Sequence, residues 1–228
     1  MSDKPSPLLS RRKWLVRSSA AAAVTIAAPF AAPYVSRLAH ASPKIAKGDN
    51  IFGLGIASGD PVPDSIVLWT RLAPKPVEEN GGMPNKSFEV SWEIAADEKL
   101  TKIVQKGKAI ADPAMGHSVH VDVRGLKPSQ PYWYRFRLGN QASAIGRTKT
   151  APAFGAAIDQ VKFAFASCQK YEEGHYTAHK HLAQEDLDFV LFLGDYIYEK
   201  PAKSGKPREH DLDLAETLVQ YRQRYGLY

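Results

Sequence analysis

The sequence predicts a small antiparallel β-sandwich followed by the opening of an α/β domain, both behind an export leader. Three observations carry that reading. Residues 51–150 repeatedly alternate apolar and polar side chains with period two. After Thr150 the pattern changes to short, almost wholly apolar runs separated by stretches of helical spacing. Ahead of both, a basic stretch leads into an apolar run of small residues.

The leader reads SRRKWLVRSSAAAAVTIAAPFAAPYVSRLAHA. Its basic residues precede the apolar run at 20–32, and Ala39-His40-Ala41 has the small-x-small shape of a cleavage site. Residues 1–41 are therefore assigned as a signal peptide, with processing expected after Ala41. Arg11 and Arg12, flanked by Ser10 and by Trp14 and Leu15, resemble the twin-arginine export signal of bacteria, with Trp14 where that signal prefers Phe. The resemblance implies the twin-arginine translocase as a partner during export and a periplasmic or secreted destination. It also implies a route that carries proteins already folded, often with metal loaded. The apolar run is short and broken by Pro29 and Pro33, so no stable membrane anchor is expected after cleavage.

Charge follows the same division. The formal charge of the chain is +6, from 30 basic and 24 acidic residues. Six basic residues and one acidic residue fall in 1–41, which leaves 24 against 23 in 42–228. That balance gives no broad positive field, so no nucleic-acid-binding surface is expected. Cys168 is the only cysteine, which excludes an intramolecular disulfide and leaves two readings of the thiol: a small buried hydrophobe or a metal ligand.

Residues 42–150 are assigned to the sandwich. In FEVSWEI, Phe88, Val90, Trp92 and Ile94 face one way and Glu89, Ser91 and Glu93 the other. Val119, Val121 and Val123 oppose Ser118, His120 and Asp122; Tyr132, Tyr134, Phe136 and Leu138 oppose Trp133, Arg135 and Arg137. Weaker strands are expected at 53–58, 66–72, 103–110 and 143–148, about seven in all as a small sandwich needs. Asp60-Pro61, Asn80-Gly81-Gly82 and the segment 127–131 read as turns between them. His117 and His120, three apart on a strand, point to opposite faces and do not clasp one ion.

Residues 151–228 are assigned to the α/β part, after a small-residue linker at 151–157. VKFAFAS (161–167) reads as a buried-type strand ending at Cys168, and FVLFLG (189–194) as a second ending at Asp195. Helices are expected over 175–184 and 211–224. In α/β sheets ligands gather at the carboxyl ends of strands, where Cys168 and Asp195 both fall.

Asp195 follows Gly194, which lets the chain turn sharply, and a carboxylate there is suited to bridge two cations. Tyr198 stands three residues on. Thiolate and phenolate are strong electron donors, and as a pair they suit ferric iron better than magnesium or calcium. Metal so held would clamp a phosphate ester and lower the pKa of bound water. Read singly, Asp195 also suits a cap, and Cys168 and Tyr198 also suit packing.

At this point the sequence resembles the alkaline phosphatase D, or PhoD-like, metallophosphatases. The matching stretches are FGLGIASGDPVPDSIVLWTRLAP (52–74), FAFASCQ (163–169) and FLGDYIYE (192–199), in family order over most of the chain. The resemblance implies a fibronectin-like sandwich and a four-layer αββα metallophosphatase domain, of which this chain holds the truncated start. It implies hydrolysis of phosphodiesters and phosphomonoesters with Fe3+ and Ca2+. Carried over by motif, Cys168 is an iron ligand, Asp195 the metal-bridging and catalytic carboxylate, and Tyr198 a further iron ligand, with Gln169 and Glu199 in supporting roles. Arg71, in WTR, is expected to be structural. His175, His179 and His181 lack the family context and read as exposed or packing residues. The family's later Asp-Asp-His-Glu segment, asparagine and His/Asp ligands have no counterpart in these residues, so the isolated chain is expected to be inactive.

The rival reading is an exported β-sandwich binding module without catalysis. Neither GxxxxGK[ST] nor GxGxxG occurs, which counts against nucleotide binding, and no GxSxG elbow supports serine hydrolysis.

Overall fold

Strand pairing follows the alternation. The computed structural model describes residues 50–228; the signal reading of 1–41, with Arg11, Arg12 and the site after Ala41, lies outside the described residues, as do residues 42–49. Strands β1 (Ile56–Val62), β2 (Ser65–Arg71) and β5 (Ser118–Arg124) form one antiparallel sheet in the order β1-β2-β5. Strands β3 (Phe88–Ala95), β4 (Ile103–Ala111), β6 (Pro131–Leu138) and β7 (Gln141–Ala142) form the second, ordered β4-β3-β6-β7, with β8 (Gly146–Lys149) also paired to β6.

The inner faces hold the residues that the alternation assigned to them. Ile66 and Leu68 from β2 and Val119, Val121 and Val123 from β5 meet Phe88, Val90 and Ile94 from β3 and Tyr132, Tyr134 and Phe136 from β6 in one buried core. Burying each such aliphatic or Phe side chain contributes about 1.5–3 kcal/mol, which makes this core the main source of the fold's stability. Burial raises the Tyr134 phenol to about 12, so it stays neutral in the core. Outward, Glu93 pairs with Arg135 and Lys108 with Glu89, which keeps the wet faces charged.

Several boundaries differ from the sequence reading. Asp60-Pro61 is not a turn but a bulge inside β1, where the register shifts between Gly59 and Val62 and Asp60 has φ 49°. Proline has no N–H for the ladder, and a bulge is where a strand accommodates it. The expected strand at 53–58 starts later, at Ile56, because residues 51–54 turn. The strand expected at 143–148 starts later, as β8 at Gly146, after the two-residue β7; between them Ser143 Oγ accepts the Phe136 N–H at 3.0 Å.

Beyond the linker, β9 (Phe163–Ala166) and β10 (Phe189–Phe192) pair in parallel, Phe163 opposite Phe189 and Ala166 opposite Phe192. The connection carries α1 (Thr177–Leu182), so the strand–helix–strand order stands as read. α1 is shorter than 175–184 because Tyr176, at φ 55°, leaves the helical region at its start. The second helix, α2 (Leu218–Tyr225), begins seven residues later than the expected 211. A capping box explains the start: the Thr217 side chain accepts from the Gln220 N–H while the Gln220 side chain accepts from the Thr217 N–H. Among the described residues no helix is long and apolar enough to cross a membrane.

The two parts are tied together. Lys149 of β8 meets the Asp188 carboxylate at 2.5 Å, and the other Asp188 oxygen accepts the Lys162 N–H at 2.9 Å. Arg71, at the end of β2, is buried; its Nε donates to the Gly116 carbonyl at 2.9 Å and its Nη1 to the Arg222 carbonyl of α2 at 3.2 Å.

Candidate metal centre

The ends of β9 and β10 leave their ladder in the same way. Cys168 and Asp195 both adopt left-handed backbone, φ 57° and 52°, and Gly194 before Asp195 has φ 127°. A positive φ is costly for a residue with a Cβ and gathers at functional sites. Two backbone bonds stitch the turns together: Cys168 N–H to the Gly194 carbonyl at 3.2 Å and Gln169 N–H to the Asp195 carbonyl at 3.3 Å. The Gln169 side chain adds a third, donating to the Tyr196 carbonyl at 2.9 Å.

This geometry brings together the three residues that the sequence singled out. Cys168 Sγ lies 3.7 Å from Asp195 Oδ2, and the Tyr198 hydroxyl donates to the same Oδ2 at 3.0 Å. Thiol, carboxylate and phenol thus share one focus at the carboxyl ends of two parallel strands. Cys168 is exposed, so the reading as a buried hydrophobe does not hold. Partial withdrawal from water, then the hydrogen bonds with Asp195 and Cys168, push the Tyr198 phenol well above its ordinary range. A cation at the focus would take the place of that proton, since metal ligands bind deprotonated.

The donor set fits a metal in type and incompletely in number. Among the described residues no group of three or more His, Cys, Asp or Glu converges, so the third donor here is a tyrosine oxygen.

The other candidates land elsewhere. His175 is exposed and precedes α1, so it does not share a helix with His179. His179 packs against Tyr176 and Phe192 at ring separations of 5.8 and 6.3 Å, and His181 is exposed. His117 is fully buried just before β5, not within it, with φ 58° and Nε2 3.0 Å from the Lys86 carbonyl; His120 faces out. Glu199 contributes its carbonyl, which accepts from the Ala215 N–H at 2.9 Å and from Arg224 Nη2 at 3.2 Å.

Sequence reasoning missed a buried polar cluster behind the turns. Glu172, four residues past Cys168, and Arg224 in α2 are almost fully buried and meet through His210. Arg208 lies between the Tyr171 and Tyr176 rings, 3.9 and 4.1 Å from their centroids. Residues so far apart in the chain leave no local spacing signal.

Sandwich and strand-end donors together define the class: a β-sandwich joined to a parallel α/β unit that gathers thiol, carboxylate and phenol at one point. Comparison with known proteins gives the family. The model for the PhoD-like phosphatase N-terminal domain matches residues 38–152 and that for the PhoD-like phosphatase matches 163–228, and the chain belongs to the PhoD-like phosphatase family. It is 53% identical over 182 residues to alkaline phosphatase D of Bacillus subtilis (strain 168), covering 78% of this chain and 31% of that protein. A solved structure of PhoD superposes with a TM-score of 0.76 at 51% identity, covering 80% of this chain and 36% of that one. The chain therefore spans about a third of the length of these relatives.

Proposed function

We propose that these residues belong to a metal-dependent phosphoesterase that hydrolyses phosphodiesters and phosphomonoesters, with Cys168, Asp195 and Tyr198 holding ferric iron. The observation that carries the proposal is the convergence of Cys168 Sγ and the Tyr198 hydroxyl on one oxygen of Asp195. Membership of the PhoD-like family and the 53% identity to alkaline phosphatase D support the reaction class.

In this reading Asp195 is the bridging carboxylate and the catalytic group, with Ca2+ as the second ion. Iron and calcium at the site would neutralise charge on the phosphate and supply hydroxide near neutral pH. Cys168 and Tyr198 would hold the iron as thiolate and phenolate, and the Asp195 carboxylate, which both now face, would serve the two ions together. Gln169 keeps the two turns in register through the Tyr196 carbonyl.

We also infer the finer organisation: a twin-arginine signal at 1–41, a fibronectin-like sandwich at 42–150 and, from 151, part of a four-layer metallophosphatase domain. The family matches at 38–152 and 163–228 support the two inner boundaries. Activity is proposed for a protein of the relatives' length, periplasmic or secreted.

The test takes the native exported protein, measures its intact mass and its iron and calcium content, and assays it on bis(p-nitrophenyl) phosphate and p-nitrophenyl phosphate. Bound iron with hydrolysis of the diester is expected. Exported protein that carries no iron and cleaves neither ester would overturn the reading and favour the binding module.

A further inference from the structure

We propose that Glu172, His210 and Arg224 form a buried chain that positions Tyr198 for the metal, an inference that rests on the metal-centre reading above. The backbone stitches fix Cys168 and Asp195, but they stop at Asp195. Tyr198 lies three residues further on, and its place depends on what grips the segment after it.

That grip comes from behind. Arg224 is 1% exposed and directs Nη2 at three carbonyls: Glu199 at 3.2 Å, Leu212 at 3.3 Å and Asp213 at 2.6 Å. Its Nη1 lies 2.6 and 3.1 Å from the two ring nitrogens of His210. His210 Nε2 in turn lies 3.4 Å from Glu172 Oε1, in the turn that follows Cys168. The chain therefore joins the Cys168 loop to the carbonyl next to Tyr198. Tyr228 runs in parallel: its hydroxyl accepts the Tyr171 N–H at 3.3 Å and also meets the Tyr198 backbone.

Charges buried this deeply are retained only at a cost. Arg224 Nε and Glu172 Oε2 have no partner among the described residues. An apolar helix face would pack as well, but it would not reach the Glu199 carbonyl. Burial and the adjacent Arg224 charge hold the His210 imidazole below its usual range, in spite of Glu172, so the ring sits neutral between the two ions. Arg224 touches no donor atom; it is a positioning residue.

The test titrates the full chain with ferric iron, read by the tyrosinate-to-iron absorption band, and follows amide exchange of the metal-free chain at 196–199 and 212–216. Wild type is expected to show the band. Its absence there would sink the metal assignment, and the metal-free exchange would then judge this inference separately. In Arg224→Met, residues 196–199 are expected to exchange roughly tenfold faster while β2 and β3 exchange as before. Iron affinity is expected to fall about 10–100-fold. Arg224→Lys keeps the charge without the fork and is expected to resemble Arg224→Met. Unchanged exchange at 196–199 in Arg224→Met overturns the proposal. Should that variant not fold, Glu172→Gln, which leaves the α2 contacts in place, decides in the same way: faster exchange at 196–199 supports the chain, and unchanged exchange overturns it.

Discussion

Arg71 Nη1 donates to the Arg222 carbonyl at 3.2 Å, so a residue at the end of β2 holds the last helix against the sandwich. Burial first, and then the neighbouring Arg222 charge, lower the Arg71 pKa, yet the guanidinium keeps both its carbonyl partners.

Replacing Arg71 by Met keeps the stem and removes both bonds; the Gly116 carbonyl loses its donor and the Arg222 carbonyl is left with the Gly226 N–H alone. The expected loss is about 2–3 kcal/mol, read from the urea midpoint. Arg71→Lys should recover little of it, because one ammonium does not reproduce two divergent donors.

Cys168 is the one thiol of the chain and it is exposed. The metal-free protein is expected to react with Ellman's reagent at one thiol per chain, and the iron-loaded protein not to react. Tyr198→Phe should abolish the visible band while changing the urea midpoint by less than about 0.5 kcal/mol, since a partly exposed hydroxyl carries little of the fold.

Gly107 lies opposite Trp92 across β3 and β4, and a Cβ there would stand 2.7 Å from the Trp92 ring. Gly107→Ala is expected to cost about 1–3 kcal/mol by overpacking and to shift the near-ultraviolet signal of the indole. An unchanged melting temperature would show that the ring swings aside freely.

The junction between the two parts should be sensitive to acid. The Lys149 ammonium, and then the Lys162 N–H, hold the Asp188 carboxyl below its usual range; Arg147, Lys162 and Asp186 line the same recess. A carboxylate whose folded pKa lies below its unfolded value adds stability above the unfolded pKa and loses it as pH falls through the folded one. Protease cleavage within the linker at 151–157 is therefore expected to accelerate below about pH 4, the ordinary range of aspartate. In Asp188→Asn the rate should already be raised at pH 7 and vary less with acid.

The sandwich core was legible because period-two alternation records which face of a strand is dry: Phe88, Val90 and Ile94 are buried as the spacing says. Strand ends were less so. Asp60-Pro61 carries turn chemistry that a bulge uses equally well, and the start of α2 is set by Thr217 and Gln220, whose box a count of apolar spacing passes over. Cys168, Asp195 and Tyr198 could be named because each closes or follows an apolar run, and the structure brings them together. Glu172, His210 and Arg224 could not, because their meeting depends on how distant loops pack, and burial of a charge leaves no periodic trace.

The stitches Cys168 N–H to Gly194 and Gln169 N–H to Asp195 use only main-chain atoms. Any residue that tolerates the left-handed backbone at 168 would meet the same stitch. On the proposed metal reading, an oxygen donor in place of the Cys168 sulfur is expected to keep that main-chain frame and to move the preference toward harder ions.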